Sequence, residues 1–349
     1  MSRKSSVLDS LRAVAVLLVL ADHLLETLRV TGWLERVAWM SGRLGVVMFF
    51  VHTALVLMLS MDRHSLRGAA LFRDFYIRRA FRVYPLALAT IVLVITAHVP
   101  NVPWGDVRAP LTTYNIASNA LLLENLIGGT LMLRPMWSLS AEVLMYLVLP
   151  ALFIIVLNRP RFSTVALFWC CAVVAGIVVP MQTNRLSVAY YSPCFMSGVV
   201  AYWVTRRTRP HWSFRAWSFT LSALVLVYAL IGFATETVHV AAAAWGACLV
   251  LGCLLPRFAE TESALVRRVS HTIATYSYSI YLGHCVALWI GFSIGTSVIA
   301  QLAISLVCLV AFCIIGYHGI EAPFIRLGQR IAQRQEVPST TPINVPLAT

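Results

Sequence analysis

Charge is scarce in this chain, and one carrier of it is almost missing. Of 349 residues only 12% are Asp, Glu, Lys or Arg, while 59% are hydrophobic. The mean hydropathy is +0.79. A soluble globular domain carries about a quarter charged residues, so a chain clothed in water over its whole surface is excluded. Lysine occurs once, at Lys4, against 26 arginines. There is no CxxC pair and no His/Cys cluster with the spacing of a structural metal site, and the metal expectation is none. All eight cysteines fall in apolar segments and read as small buried hydrophobes, not as a disulfide framework. A glycine-rich phosphate loop, an HExxH helix and a GxSxG elbow are also missing, which removes the motif-borne nucleotide, zinc-protease and serine-hydrolase chemistries. The net charge of +13 comes from arginines dispersed over short loops, not gathered on one surface. That pattern argues against a nucleic-acid partner.

What the sequence does have is one apolar run after another. Ten segments are long enough to cross a bilayer: 7–27, 44–61, 83–99, 139–157, 163–180, 190–205, 216–234, 239–256, 274–294 and 297–318. The expected fold is an all-α, polytopic transmembrane helix bundle of about ten spans. No small-residue cleavage site follows the first run, so it reads as a retained span. An eleventh stretch, "TTYNIASNALLLENLIGG" at 112–129, is ambiguous because Asn115, Asn119, Glu124 and Asn125 interrupt it. The positive-inside rule arbitrates. If 112–129 does not cross, both termini are cytoplasmic, and 20 Lys/Arg lie inside against 6 outside. If it crosses, the split becomes 10 inside and 16 outside. The segment is therefore expected to lie on the outer side, packed against protein that satisfies its polar groups. Residues 1–334 form the membrane domain, and the Pro/Thr-rich stretch 335–349 is expected to be a disordered tail.

Inside the first span, "SLRAVAVLLVLADHL" keeps Arg12 and His23. Eleven helical steps of about 100° return to nearly the same face, about 16 Å further along the axis. The two groups share one stripe at different depths. Each costs about 2.5 kcal/mol or more in a bilayer, so each asks for a reason. Arg12 either snorkels to the headgroups or lines a site; His23 is either interfacial or functional. The densest basic group, "RDFYIRRAFRVYP" at 73–85, holds Arg73, Arg78, Arg79 and Arg82. It is either a cytoplasmic stop signal or a phosphate-binding mouth built of guanidinium forks. Glu142 follows a turn-like "RPMWSLS" and suits a helix start as well as a functional carboxylate. The expected topology puts Arg12 toward the cytoplasm and His23 toward the outer end of span one. Glu142, about one turn into an inward-running span, is expected to meet His23 there. His284, in span nine, either lines the cavity or packs as core. Trp and Tyr near span ends read as interface anchors. By composition alone a secondary transporter or flippase using intramembrane Arg, His and Glu is a rival reading, although the paired broken segments of such folds are not visible.

Several separated segments together resemble one family, the integral membrane acyltransferase-3 O-acyltransferases. "LDSLRAVAVLLVLADHL" (8–24) is similar to its first span, with Arg12 and His23 at the family's spacing. "LGVVMFFVHTALVL" (44–57), "FYIRRAFRVYPLAL" (75–88), "MWSLSAEVLMYLVLP" (136–150), "FMSGVVAYWV" (195–204), "TYSYSIYLGH" (275–284) and "GIEAPFIRLGQR" (319–330) resemble later landmarks, in order. Thr53-Ala54 stands where the family usually has Ser-Gly.

The resemblance implies transfer of an acyl group, often acetyl, from acyl-coenzyme A to a hydroxyl of a sugar, a glycan or a natural product. No permanently bound cofactor is implied; acyl-CoA is the donor substrate, and the bilayer, the donor and the hydroxylated acceptor are the partners. The arginine-for-lysine usage fits a GC-rich bacterial gene, hence a multi-pass protein of a bacterial plasma membrane. The donor side would use Arg12, Arg78, Arg79 and Arg82. His23 would take the acceptor hydroxyl's proton, a task suited to imidazole near neutral pH. Glu142 would orient it, with Asp22 as second choice because neighbours on a helix point about 100° apart. Ser138, Ser140 and Trp137 are candidate donors to the thioester oxygen.

Overall fold

The computed structural model describes residues 5–334, apart from 65, 160, 184–186 and 235–236. The tail expected at 335–349 lies outside the described residues. The helices are α1 (Ser6–Thr27), α2 (Trp33–His64), α3 (Gly68–Thr96), α4 (Thr113–Ala120), α5 (Glu124–Ile127), α6 (Met136–Asn158) and α7 (Phe162–Gln182). After them come α8 (Ser187–Thr205), α9 (Phe214–Ala234), α10 (Thr237–Leu254), α11 (Ala264–Ile294), α12 (Val298–Ile315) and α13 (Ala322–Arg334). A π-helical stretch, Gly316–Glu321, joins the last two. Among the described residues the only β feature is a single bridge between Trp212 and Phe258.

Among the described residues eight helices are long and apolar enough to cross a membrane: α2, α3, α6, α7, α9, α10, α11 and α12 with its continuation. The other two expected spans form α1 and α8, of 22 and 19 residues. In α1 the side chains of Asp9, Arg12, Asp22 and Glu26 dilute the hydropathy. That helix packs between α2 and α11, so protein, not lipid, receives its polar stripe. The serines that open these helices do local work. Ser5, Ser263 and Ser297 each cap the first turn of α1, α11 and α12 by accepting a backbone N–H. At the periphery, α7 and α12 turn Leu167, Val174, Ile177, Leu306, Val307 and Val310 outward, as lipid-facing surfaces should. Between α2 and α8 the backbones come close. A Cβ on Gly198 would lie 2.4 Å from the Val51 carbonyl, so a hydrogen side chain is needed there.

The basic stretch 73–85 is helical and continuous with the third span. It forms the first half of α3, which starts at Gly68 and runs through Pro85. The 112–129 segment folds into α4 and α5, of eight and four residues, both too short to cross. Its asparagines explain themselves. Asn115 Oδ1 accepts from Thr130 N at 2.6 Å, Asn119 Oδ1 from Met132 N at 2.9 Å, and Asn125 Nδ2 donates to Trp137 O at 2.7 Å. They stitch the segment to the turn that precedes α6 and to its first residues, satisfying backbone groups that lipid could not.

Glu124 is the unsatisfied member of this cap. It is buried, and neither carboxyl oxygen has a well-formed hydrogen bond. Burial pushes its carboxyl up to about 7, and its own backbone N–H and the Ser140 hydroxyl offset only part of that. A carboxyl raised in the folded state binds its proton more tightly there than when unfolded. Its contribution is therefore best below the unfolded value of 4.5 and is lost as pH rises through about 7. Glu124→Gln should stabilise the protein by roughly 1–3 kcal/mol at pH 8 and change little below pH 5. Thermal unfolding at the two pH values, in one detergent, checks this; equal gains at both would refute it.

Candidate functional site

Three cavities follow one another along α1. The first, about 320 Å³, is lined by Ser5, Asp9, Arg12, Arg63, Arg82 and His271 among others. The second, about 100 Å³, shares Arg12, His52, Val56 and Arg82 with it and adds Arg79, Glu142, Tyr146, Tyr278, Ser138 and Tyr281. The third, about 160 Å³, shares Val46 and Tyr281 with the second and holds Asp22, His23, Trp39, Arg43, Arg134 and Trp137. The helical arithmetic of span one is thus realised. Arg12 belongs to the two cavities at one end of α1, and His23 to the cavity at the other.

The second cavity is a buried cluster of charge. Arg82 Nη1 bonds Glu321 Oε2 at 2.6 Å, with the Glu321 side chain fully enclosed and also bonded by Ser279 Oγ. The Arg82 guanidinium lies 5.5 Å from the Tyr278 ring centroid. Glu142 Oε1 accepts from Tyr146 Oη at 2.5 Å. Arg12 Nε is enclosed without a hydrogen-bond partner. Three guanidinium groups line or cross this space with Glu142 and the Glu321 behind Arg82, so cationic charge is in excess. Such a cavity suits an anion with several oxygens. Arg78 departs from the expectation. Its Nε is held by Asp74 Oδ1 at 2.6 Å, one turn back along α3, and it does not line the cavity.

His23 and Glu142 are not brought together. Helix α6 begins at Met136, three residues earlier than the apolar run implies, so Glu142 sits nearly two turns from its start, about 4.5 Å further along the helix than expected. It faces the arginine cluster. The partner of His23 is instead His284: His23 Nδ1 lies 2.6 Å from His284 Nε2. The ring centroids are 4.9 Å apart and the planes differ by 5°. Face-to-face rings could not bring nitrogens so close, so the two imidazoles meet edge to edge. His284 Nδ1 lies 3.1 Å from the Ile280 carbonyl oxygen. Asp22, placed second because it neighbours His23 on the helix, lines the same cavity as His23.

Cys285 Sγ is 3.4 Å from His284 Nε2 and 3.8 Å from His23 Nδ1, a grouping that by residue type suits a metal ion. Two imidazoles on a tetrahedral zinc stand about 3.3 Å apart, whereas these are at hydrogen-bond distance. Of the candidate donors to a thioester oxygen, Ser138 lines the second cavity and Trp137 the third. Ser140 faces α5 instead and accepts from Asn125 N at 3.4 Å.

The residues that sequence reasoning missed are mostly aromatic. Trp39, Tyr190, Tyr191 and Tyr228 line the His23 cavity, where Trp and Tyr near span ends read as headgroup anchors. Trp137 and Tyr191 pack against each other at 4.8 Å. Arg134 pairs with Glu26 at 3.0 Å and lies over Trp104 at 5.0 Å, closing one wall. For Trp39, Tyr190 and Tyr191 the sequence signal was position near a span end, which an interface anchor shares, and Tyr228 inside its span carried none.

A family model described as an acyltransferase domain matches residues 6–318. The chain belongs to that family. The match takes in α1 through α12, so it covers all three cavities of the acyltransferase domain. Among curated proteins, "Acyltransferase MdmB" of Streptomyces mycarofaciens is 31% identical over 152 residues, 41% of this chain. The matched stretch spans 36% of that relative's length. No solved structure matches. The acyltransferase family agrees with the resemblance carried by the ordered sequence landmarks.

Proposed function

We propose that this membrane protein transfers an acyl group from acyl-coenzyme A to a hydroxyl of a sugar, glycan or natural product. The observation that carries the reading is the sequence of cavities along α1, arginines at one end and His23 at the other. In this reading both termini are cytoplasmic and the wide first cavity opens where coenzyme A is found. Arg12, Arg79 and Arg82 hold donor phosphates, while Arg78 only steadies α3 through Asp74. The thioester arm runs past Tyr281 toward His23, over about 16 Å of α1. The acceptor ring lies among the aromatic walls of the third cavity, with Asp22 and Arg43 as polar contacts.

There His23 takes the acceptor hydroxyl's proton as that oxygen attacks the thioester carbonyl. The carbon–oxygen bond forms, the carbon–sulfur bond breaks, and the leaving coenzyme A thiolate takes the proton back from His23. The site sits in the plasma membrane of a bacterium in this account, with an acetyl group the simplest donor cargo. The experiment uses purified full-length protein, acetyl-CoA and a panel of hydroxylated acceptors. Release of free coenzyme A that depends on the acceptor, with an ester product, is expected. Acceptor flux into vesicles with no coenzyme A released would replace this reading with the transporter.

A further inference from the structure

Resting on the reading of His23 as the base, we infer that His284 is a positioning residue that sets the tautomer of His23 through a two-step relay anchored on the Ile280 carbonyl. The relay follows from which atoms are able to donate. A carbonyl oxygen only accepts, so the proton of a neutral His284 sits on Nδ1, which lies 3.1 Å from Ile280 O. His284 is 1% exposed and no carboxylate is bonded to it among the described residues, so nothing supports a cationic ring there. A neutral ring protonated at Nδ1 carries its lone pair on Nε2. That lone pair faces His23 Nδ1 at 2.6 Å. His23 must then be the donor, with its proton on Nδ1 and its own lone pair on Nε2.

This is the tautomer that a base needs. His23 lines the third cavity and His284 does not, so the relay stands behind the base. The coplanar, edge-to-edge meeting of the rings aims the Nδ1–H along the acceptor lone pair and fixes ring rotation as well as tautomer. When His23 Nε2 takes the acceptor's proton, its Nδ1–H keeps the same bond to His284, and the positive charge that forms is stabilised by a neutral acceptor. A carboxylate would stabilise that charge more strongly, at the cost of burying a charge of its own. Within an apolar bundle a neutral imidazole does it without burying a second charge. Glu142, held by Tyr146 in the neighbouring cavity, is then free of that duty.

The test compares His284→Leu with His284→Gln in purified, folded protein. A glutamine carbonyl oxygen can take the place of Nε2 as acceptor, so Gln should rescue what Leu loses. His284→Leu is expected to lower kcat about 10- to 100-fold with KM for acetyl-CoA unchanged, and His284→Gln to recover most of it. Nitrogen-15 spectra of histidine-labelled protein give a readout that packing alone would not move. The wild-type His23 signal, assigned by its loss in His23→Ala, should show a protonated Nδ1 and a bare Nε2. A protonated Nε2 there overturns the relay whatever the kinetics, even if His284→Leu does not fold. Equal kcat losses in the Leu and Gln variants overturn it as well. Wild-type turnover in His23→Ala would instead overturn the base reading and leave the tautomer result standing.

Discussion

His23→Ala is expected to lower the turnover number by roughly 10²–10⁴, the usual share of a general base, with coenzyme A binding nearly unchanged. The separation of the cavities is what divides the two effects. His23 sits in the third cavity and the arginine cluster in the second, so truncating the imidazole leaves the phosphate-binding groups in place. Glu142→Gln should behave differently. Its carboxylate faces Arg12 and Arg79 and accepts from Tyr146, so its loss should raise KM for acyl-CoA more than it lowers kcat. Had Glu142 oriented His23, the two substitutions would act as a unit and the double variant would cost less than the sum. With the residues in separate cavities, the double variant should lose about the sum of the single losses. Acyl transfer measured over a range of donor concentrations gives kcat/KM for all three variants. A double variant whose kcat/KM is no lower than that of His23→Ala would put Glu142 back behind the histidine, and wild-type values in His23→Ala would remove the histidine from the chemistry.

The contrast between these two residues shows where a sequence stops speaking. Arg12 and His23 lie on one helix, and 3.6 residues per turn relates them whatever surrounds them; their shared stripe and their distance were readable. The spans were readable too, because bilayer thickness sets a length that composition must meet. The partner of His23 was not. Residues 142 and 284 are both polar positions in apolar runs, and depth together with the chemistry of a carboxylate made Glu142 the better match. What decided it, and no local pattern encodes, is the packing of α11 directly against α1, which brings His284 to His23. The aromatic lining failed for a related reason. A tryptophan or tyrosine at a span end has the same neighbours in sequence whether it turns toward headgroups or toward a cavity. The asparagines of 112–129 succeeded because polar groups in such numbers have only one safe place near lipid, against other protein.

The other large effect belongs to Glu321, which the sequence offered only as part of "GIEAPF" near the end of the last span. Removing it should destabilise the protein by up to about 3 kcal/mol, because Arg82, whose side chain is only 19% exposed, would be left beside Arg12 and Arg79 without its counter-charge. The π-helical stretch that ends at Glu321 turns this side chain back into the bundle, where Ser279 bonds its second oxygen. In Glu321→Ala the unfolding temperature in detergent should drop by several degrees, and KM for acyl-CoA should rise because Arg82 loses its aim. Glu321→Gln keeps the Ser279 contact and the shape, and should fall between alanine and wild type. The decisive variant changes both partners. Arg82→Met with Glu321→Leu removes the buried charges together, and apolar replacements of a buried pair are often neutral or stabilising. Thermal stability should therefore return toward wild type while donor affinity stays lost, since the fork that grips phosphate is gone. Recovery of both would mean that the pair only holds α3 to the end of α12. An unchanged unfolding temperature in Glu321→Ala would mean that water already reaches Arg82, and the buried cluster would have to be redrawn.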